Sequence, residues 1–66
     1  MSDRLALIRT IARKGTAEHI NRARARARKS NKYYRFVKSY RFMRKQGEHP
    51  GVAATTALDV IGIRAI

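Results

Sequence analysis

The residues with the clearest chemical potential are basic and lie in the middle of the chain. Sixteen of the 66 residues are Lys or Arg against four Asp or Glu, which gives a net charge of +12, and no acid occurs between Glu18 and Glu48. Such side chains neutralise phosphates and release condensed counterions, and Arg also reads guanine edges through its bidentate fork. A solvated helix face normally mixes acids with its bases, so this pattern predicts contact with a polyanion, nucleic acid above all. The predicted contact residues are Arg22, Arg24, Arg26, Arg28, Lys29, Lys32, Arg35, Lys38, Arg41 and Lys45.

All five aromatic residues fall inside the same acid-free block. Tyr33, Phe36 and Tyr40 recur at helical spacing, which is more typical of a core than of a base-stacking surface. Tyr34 and Phe42 fall among the basic residues and are predicted to be exposed. An exposed aromatic ring beside Arg suits stacking on unpaired bases, and it equally suits a protein interface.

Residues that could support catalysis or hold a metal ion are few. The chain has no Cys, and its two Glu-His dipeptides, at residues 18–19 and 48–49, match no metal-site spacing. No Gly-rich phosphate loop is present, and a chain this short buries only about 60% of the surface that its unfolded form exposes. We therefore expect no enzymatic activity, no catalytic or metal-binding residue and no cofactor.

The elements that must position these residues are predicted to be helices in a single domain over residues 1–66. Apolar periodicity and the Gly and Pro positions place them at about 3–14, 17–29, 31–46 and 51–61, with Thr16 as a capping residue of the second. The Arg-Ala alternation at 22–28 has the period of a strand, but Ala and Arg favour helix. The predicted class is a small, basic, all-α protein of three to four helices. One long central helix is the alternative to a break near residue 30.

The last segment is the apolar one. From Gly51 to Ile66 the chain is mostly Ala, Val, Ile and Leu, and the predicted helix is apolar on most sides, which is typical of a buried helix. It is expected either to complete the core or to dock a protein partner through Leu58, Ile61 and Ile63. No stretch approaches the ~20 apolar residues of a membrane-spanning helix. The expected location is the cytoplasm, including association with a nucleoid or a ribonucleoprotein.

Two resemblances to known families are limited. A helix, Gly15 and then a basic helix is similar to a helix-turn-helix, but the spacings around Gly15 do not match that family. The Arg-rich block is similar in composition to the arginine-rich RNA-binding helices of phage antiterminators, without a fixed motif. The sequence therefore assigns no family.

The function that the sequence predicts is non-enzymatic binding of RNA or DNA through residues 22–45, within a larger nucleoprotein assembly or as a small regulatory factor. An alternative is a small inhibitor or adaptor that covers an acidic surface of a nucleic-acid-processing enzyme. A third hypothesis is binding to an anionic membrane surface, which a basic amphipathic helix also suits. That hypothesis calls for a larger apolar face rich in Trp and Leu, and the chain has no Trp.

Overall fold

The computed structural model describes residues 3–64, and over that range the chain forms four helices and no strand. Helix α1 spans Asp3–Ile11, α2 Thr16–Arg28, α3 Tyr33–Lys45 and α4 Pro50–Val60. The prediction of an all-α fold is confirmed. Helix α1 ends earlier than the predicted limit near residue 14, because Gly15 lies at the end of a turn rather than directly after the helix. No described helix has the length and apolar character needed to cross a membrane.

The central basic segment is divided into two helices, so the alternative of one long helix is wrong. Helix α2 ends at Arg28 and α3 begins at Tyr33. In the turn between them the Ser30 hydroxyl oxygen accepts a hydrogen bond from the Lys32 backbone N–H at 2.9 Å. A side chain that binds a nearby backbone amide offers the chain an alternative to helical hydrogen bonding, and here it accompanies the break.

The Arg-Ala alternation is helical, and its alanines have two different environments. Ala23 and Ala27 are one helical turn apart and are buried, whereas Ala25 between them is exposed. The two buried alanines belong to a core cluster with Ala54 and Ala57 of α4. Small side chains on both helices let the helix backbones approach closely, and the arginines that flank them are left outside.

Helix α4 is the centre of the fold. Seven of its eleven residues are buried, and α1, α2 and α3 all pack against it, whereas α2 and α3 touch each other only lightly. Leu58 is fully buried and Ile61 is nearly so, within the same cluster as Phe36, while Ile63 is half-buried against it. The apolar segment therefore completes the core. Of the two predicted roles, completing the core and docking a partner through Leu58, Ile61 and Ile63, the structure favours the first, because the chain's own helices cover Leu58 and Ile61.

The start of α4 lies unusually close to the end of α1. His49 precedes the helix, and its Nδ1 accepts a hydrogen bond from the Gly51 backbone N–H at 3.1 Å. A Cβ atom added to Gly51 would overlap the backbone carbonyl oxygen of Ala12, and it would lie 3.3 Å from the carbonyl carbon. Ala12, Ile8 and Val52 form a second, smaller core cluster at this contact. Only a residue without a side chain fits there.

The start of α2 differs from its predicted form. The residue before the helix is Gly15 in the left-handed conformation, with φ 63°, and no side chain caps the helix. Thr16 is instead the first helical residue, and its hydroxyl donates a hydrogen bond backwards to the Arg13 carbonyl oxygen at 3.3 Å. The positive φ explains the Gly, since other residues adopt this conformation at a cost.

Candidate nucleic-acid interface

The ten predicted contact residues all have exposed side chains. They lie on α2, on α3 and in the turn that joins them, and together they form what we call the basic face: Arg22, Arg24, Arg26, Arg28, Lys29, Lys32, Arg35, Lys38, Arg41 and Lys45. The fold places them outside because the alanines of α2 and the apolar stripe of α3 point towards α4. The basic face is therefore exposed because α2 and α3 bury their apolar sides against α4.

Two of the four acids of the chain are engaged by arginines of α1. Arg4 donates two hydrogen bonds to the Asp59 carboxylate, from Nε to Oδ2 at 2.7 Å and from Nη2 to Oδ1 at 2.6 Å. These hydrogen bonds lower the pKa of Asp59 although partial burial opposes the shift. The bidentate pair joins α1 to α4 across 55 residues of sequence, which leaves this carboxylate committed to α1 rather than to the basic face.

Glu48 is held in a similar way. Arg9 of α1 approaches its carboxylate at 3.2 Å, and the His49 backbone N–H donates to the other carboxylate oxygen at 3.2 Å. Burial opposes ionisation of this group, but the hydrogen bonds from Arg9 and His49 outweigh it, so the pKa of Glu48 is lowered. Asp59 and Glu48, two of the chain's four acids, thus compensate the charges of Arg4 and Arg9 of α1.

The basic face has a single carboxylate partner within the described residues. Glu18 lies 3.6 Å from Arg22, one helical turn away, and both side chains are largely exposed. Exposed pairs of this kind contribute only about 0.3–0.5 kcal/mol. Residues 16–46 contain eleven Lys or Arg against this one acid, so they carry +10 of the total charge of +12. The fold therefore leaves its largest block of charge without internal compensation.

A cleft between α2 and α3 brings arginines and aromatic rings together. We call it the α2–α3 cleft; its volume is about 360 Å³, and none of its lining residues is acidic. Its interior is made by half-buried or buried side chains of α3, and its edges by exposed arginines of both helices. The lining residues are Arg24 and Arg28 of α2 and Tyr33, Phe36, Val37, Tyr40 and Arg41 of α3.

The aromatic side of this cleft is a stack of three rings. The ring centroids of Tyr33 and Phe36 are 6.0 Å apart and those of Phe36 and Tyr40 are 6.5 Å apart, with interplanar angles of 20° and 18°. The Arg28 guanidinium carbon lies 5.7 Å from the centroid of Tyr33, within the range of a cation–π contact. The rings predicted to be core are therefore only partly so, because Phe36 is buried and the two tyrosines also face the cleft.

The arginines of α2 have different surroundings on its two sides. Arg24 and Arg28, one turn apart, line the cleft, whereas Arg26 donates from Nη1 to the Arg64 carbonyl oxygen at 3.2 Å. Arg22, one turn before Arg26, carries the ion pair with Glu18. Helical spacing predicts Arg22 and Arg26 on one side of the helix and Arg24 and Arg28 on nearly the opposite side. The structure adds that the second pair lines the cleft and that the first pair has intramolecular partners.

The two aromatics predicted to be exposed are exposed. Tyr34 has 71% of its surface accessible and Phe42 has 63%. Phe42 lies with Val60, which is 54% accessible, along a shallow apolar groove of about 460 Å³ between α3 and α4. Arg35 and Lys38 also line this groove, which we call the Phe42 groove. The sequence did not predict Val60 as part of a surface, because its helix is apolar on most sides and was predicted to be buried.

The two Glu-His dipeptides have structural partners. Glu18 pairs with Arg22, Glu48 with Arg9, and His49 caps α4 through Nδ1 while its Nε2 lies 3.4 Å from the Thr16 hydroxyl. Within residues 3–64, no group of three or more His, Cys, Asp or Glu side chains is arranged to hold a metal ion.

Comparison with known proteins gives no further guide to this site. No family model matches the chain, and neither a curated protein nor a solved structure matches it.

Proposed function

We propose that the protein binds RNA or DNA, without enzymatic activity, by setting its basic face against the phosphate backbone. One observation carries the proposal: two of the four acids, Asp59 and Glu48, pair with arginines of α1, and nine of the ten residues of the basic face have no carboxylate partner among the described residues. Uncompensated Lys and Arg side chains of this number are the electrostatic footprint of a nucleic-acid-binding protein.

The size of the molecule limits the footprint. Its longest dimension, measured on the Cα atoms, is 28 Å, which corresponds to about eight nucleotides at roughly 3.4 Å each along one strand. About six phosphate contacts on such a length would give a slope of log K against log salt of about −4 on a single strand and about −5 on duplex DNA. The interaction is thus short, and its affinity is governed by salt.

The test measures this slope with charge-removing variants. Labelled RNA and DNA strands of 12 nucleotides are titrated with the protein at several salt concentrations between about 50 and 200 mM. Fluorescence anisotropy then gives the slope of log K against log salt for the native chain. The variant Arg35→Gln with Lys38→Gln removes two charges from the basic face and should make the slope shallower by about 1.4–1.8. Gln is a good helix former, so α3 should keep its helicity in circular dichroism.

A matched control removes the same charge elsewhere. Arg13 and Lys14 are exposed and lie in the turn after α1, outside the basic face. Changing both to Gln should leave the slope within error of the native value. If the native chain does not bind either strand at about 50 mM salt, or if both double variants change the slope equally, the basic face is not the binding surface.

A second candidate function is that of an adaptor or inhibitor on an acidic protein surface, such as that of a nucleic-acid-processing enzyme. The Phe42 groove favours it, because an exposed aromatic ring and Val60 lie beside Arg35 and Lys38. Arg and aromatic residues are enriched among the residues that dominate protein interfaces. Pull-down from a lysate with and without nuclease separates the two functions, since a stoichiometric protein partner would survive nuclease and a nucleic-acid tether would not.

A further inference from the structure

The α2–α3 cleft has the chemistry of a site for one nucleotide whose base is unpaired. We infer that the nucleic acid bound by this protein is single-stranded, with one base inserted against Tyr40 and the adjoining phosphates on Arg24, Arg28 and Arg41. This inference rests on the proposed function, and it adds which form of nucleic acid the basic face receives.

The dimensions of the cleft fit a single small group. Its volume of about 360 Å³ is near the lower end of the range for small-ligand sites, roughly 300–1,000 Å³. An α-helix or a two-stranded ribbon reads duplex DNA by entering a groove. Here the concave surface belongs to the protein, so it is the nucleic acid that must supply the inserted group.

The lining supplies both halves of a nucleotide's chemistry. Three arginines with no acid among them offer charge-assisted hydrogen bonds to phosphate oxygens. The aromatic stack offers a flat apolar surface to a base, and stacking of this kind tolerates any base because each has a π-face. Neither an isolated inorganic anion nor an apolar ligand would use both parts.

Tyr40 is the open end of the aromatic stack. Phe36 lies between the two tyrosines, and the Tyr33 ring is already accompanied by Arg28. In the described part of the chain, no second ring and no guanidinium group stacks on Tyr40, which is half-exposed and adjoins Arg41. An inserted base would therefore extend the stack at Tyr40 and place its phosphates near the arginines.

A duplex cannot satisfy this site without being opened. Its bases are stacked and paired, and extrusion of one costs a few kcal/mol. A duplex does present more charge per length, so a purely electrostatic surface would bind it at least as well as a single strand. A preference for the single strand is therefore a signature of base insertion rather than of charge.

The test compares four probes at one salt concentration by fluorescence anisotropy. They are a labelled 12-residue DNA strand, its RNA equivalent, the blunt DNA duplex, and a DNA strand of abasic units that keeps every phosphate. Both single strands should bind more tightly than the duplex and the abasic strand, by on the order of tenfold, since stacking of one base contributes about 1–3 kcal/mol. The RNA and DNA strands together show whether the sugar matters.

Two aromatic variants on the same helix provide the control. Tyr40→Leu should remove the preference over the abasic strand while leaving the salt slope unchanged. Phe42→Leu, which changes an exposed ring outside the cleft, should retain the preference. Tyr40 also contacts the core, so Tyr40→Leu changes the packing as well as the cleft. Tyrosine fluorescence of the native chain gives a second readout that needs no variant. The single strand should quench it more than the abasic strand does.

The outcomes separate the two levels of the argument. Equal binding of the DNA strand and the abasic strand, or tighter binding of the duplex, would overturn base insertion while the phosphate-binding function stands. Retention of the preference by Tyr40→Leu would overturn the assigned site. Absence of binding to all four probes would overturn both proposals.

Discussion

Replacing Gly51 by Ala should destabilise the protein, although the exchange looks favourable from the sequence. Gly51 is the second residue of α4, and Ala is preferred to Gly within helices by about 1 kcal/mol. The new Cβ atom would, however, overlap the backbone carbonyl oxygen of Ala12. The sign of the change in the free energy of unfolding therefore shows whether the backbones at the end of α1 and the start of α4 are in close contact.

The magnitude follows from what must move. Overpacking usually costs about 1–3 kcal/mol, and here the cost should lie at the upper end because a main-chain oxygen cannot rotate away as a side chain can. After the helical preference of about 1 kcal/mol is subtracted, the net loss is about 2 kcal/mol. That is a large part of the roughly 3–10 kcal/mol expected for 66 residues, and it corresponds to a melting temperature lower by about 8–16 °C.

Urea unfolding followed by circular dichroism at 222 nm measures the change in the free energy of unfolding. The variant Ala25→Gly, at an exposed position of α2, calibrates the helical preference in the same protein and should cost about 1 kcal/mol. If only preference mattered, Gly51→Ala would mirror that value with the opposite sign. A Gly51→Ala variant as stable as the native chain, or more stable, would refute the close contact.

Three further outcomes are expected. Leu58→Ala should cost about 2–5 kcal/mol in urea unfolding, whereas Val60→Ala, at a half-exposed position of the same helix, should change stability by less than about 0.5 kcal/mol; equal effects would mean that α4 is not packed as described. The lowered pKa values of Asp59 and Glu48 stabilise the fold above the ordinary carboxyl range of about 3.9–4.3, and this contribution is lost as the pH falls below that range towards the lowered values. The urea midpoint should therefore drop between about pH 5 and pH 3, and less so in Asp59→Asn; a midpoint independent of pH would contradict the two ion pairs. With about six phosphates contacted, affinity for generic nucleic acid should fall by roughly 10²–10³ between about 50 and 200 mM salt, and a salt-independent affinity would contradict the basic face.

The helices and their buried sides were predictable because they depend on local pattern. The stripe of Tyr33, Phe36 and Tyr40, the break near residue 30 and the burial of the last helix all follow from spacing and residue type. The exposure of Phe42 followed in the same way, since its neighbours on the helix surface are basic. Each of these features is set within a few turns of one helix.

Other features depend on how helices meet, which the sequence does not display. The bidentate pair of Arg4 and Asp59 joins residues 55 positions apart, and the contact of Gly51 with Ala12 depends on the approach of two backbones. The α2–α3 cleft likewise exists only because the two helices meet with Arg24 and Arg28 facing Tyr40. The sequence predicted Arg24 and Arg28 as contact residues, but it did not predict that they lie beside the aromatic rings of α3.

The central position of α4 has a consequence for the order in which the chain can fold during synthesis. Among the described helices, α1 packs against α4 alone, and α2 and α3 share only a slight contact. A ribosome delivers α4 after the other three, at about 5–20 residues per second. Until it emerges, the earlier helices have no common surface to pack on, and isolated helices of this length are marginal in water. The basic helices therefore leave the ribosome before the hydrophobic centre on which they pack, and we expect the native structure to form only after α4 has emerged.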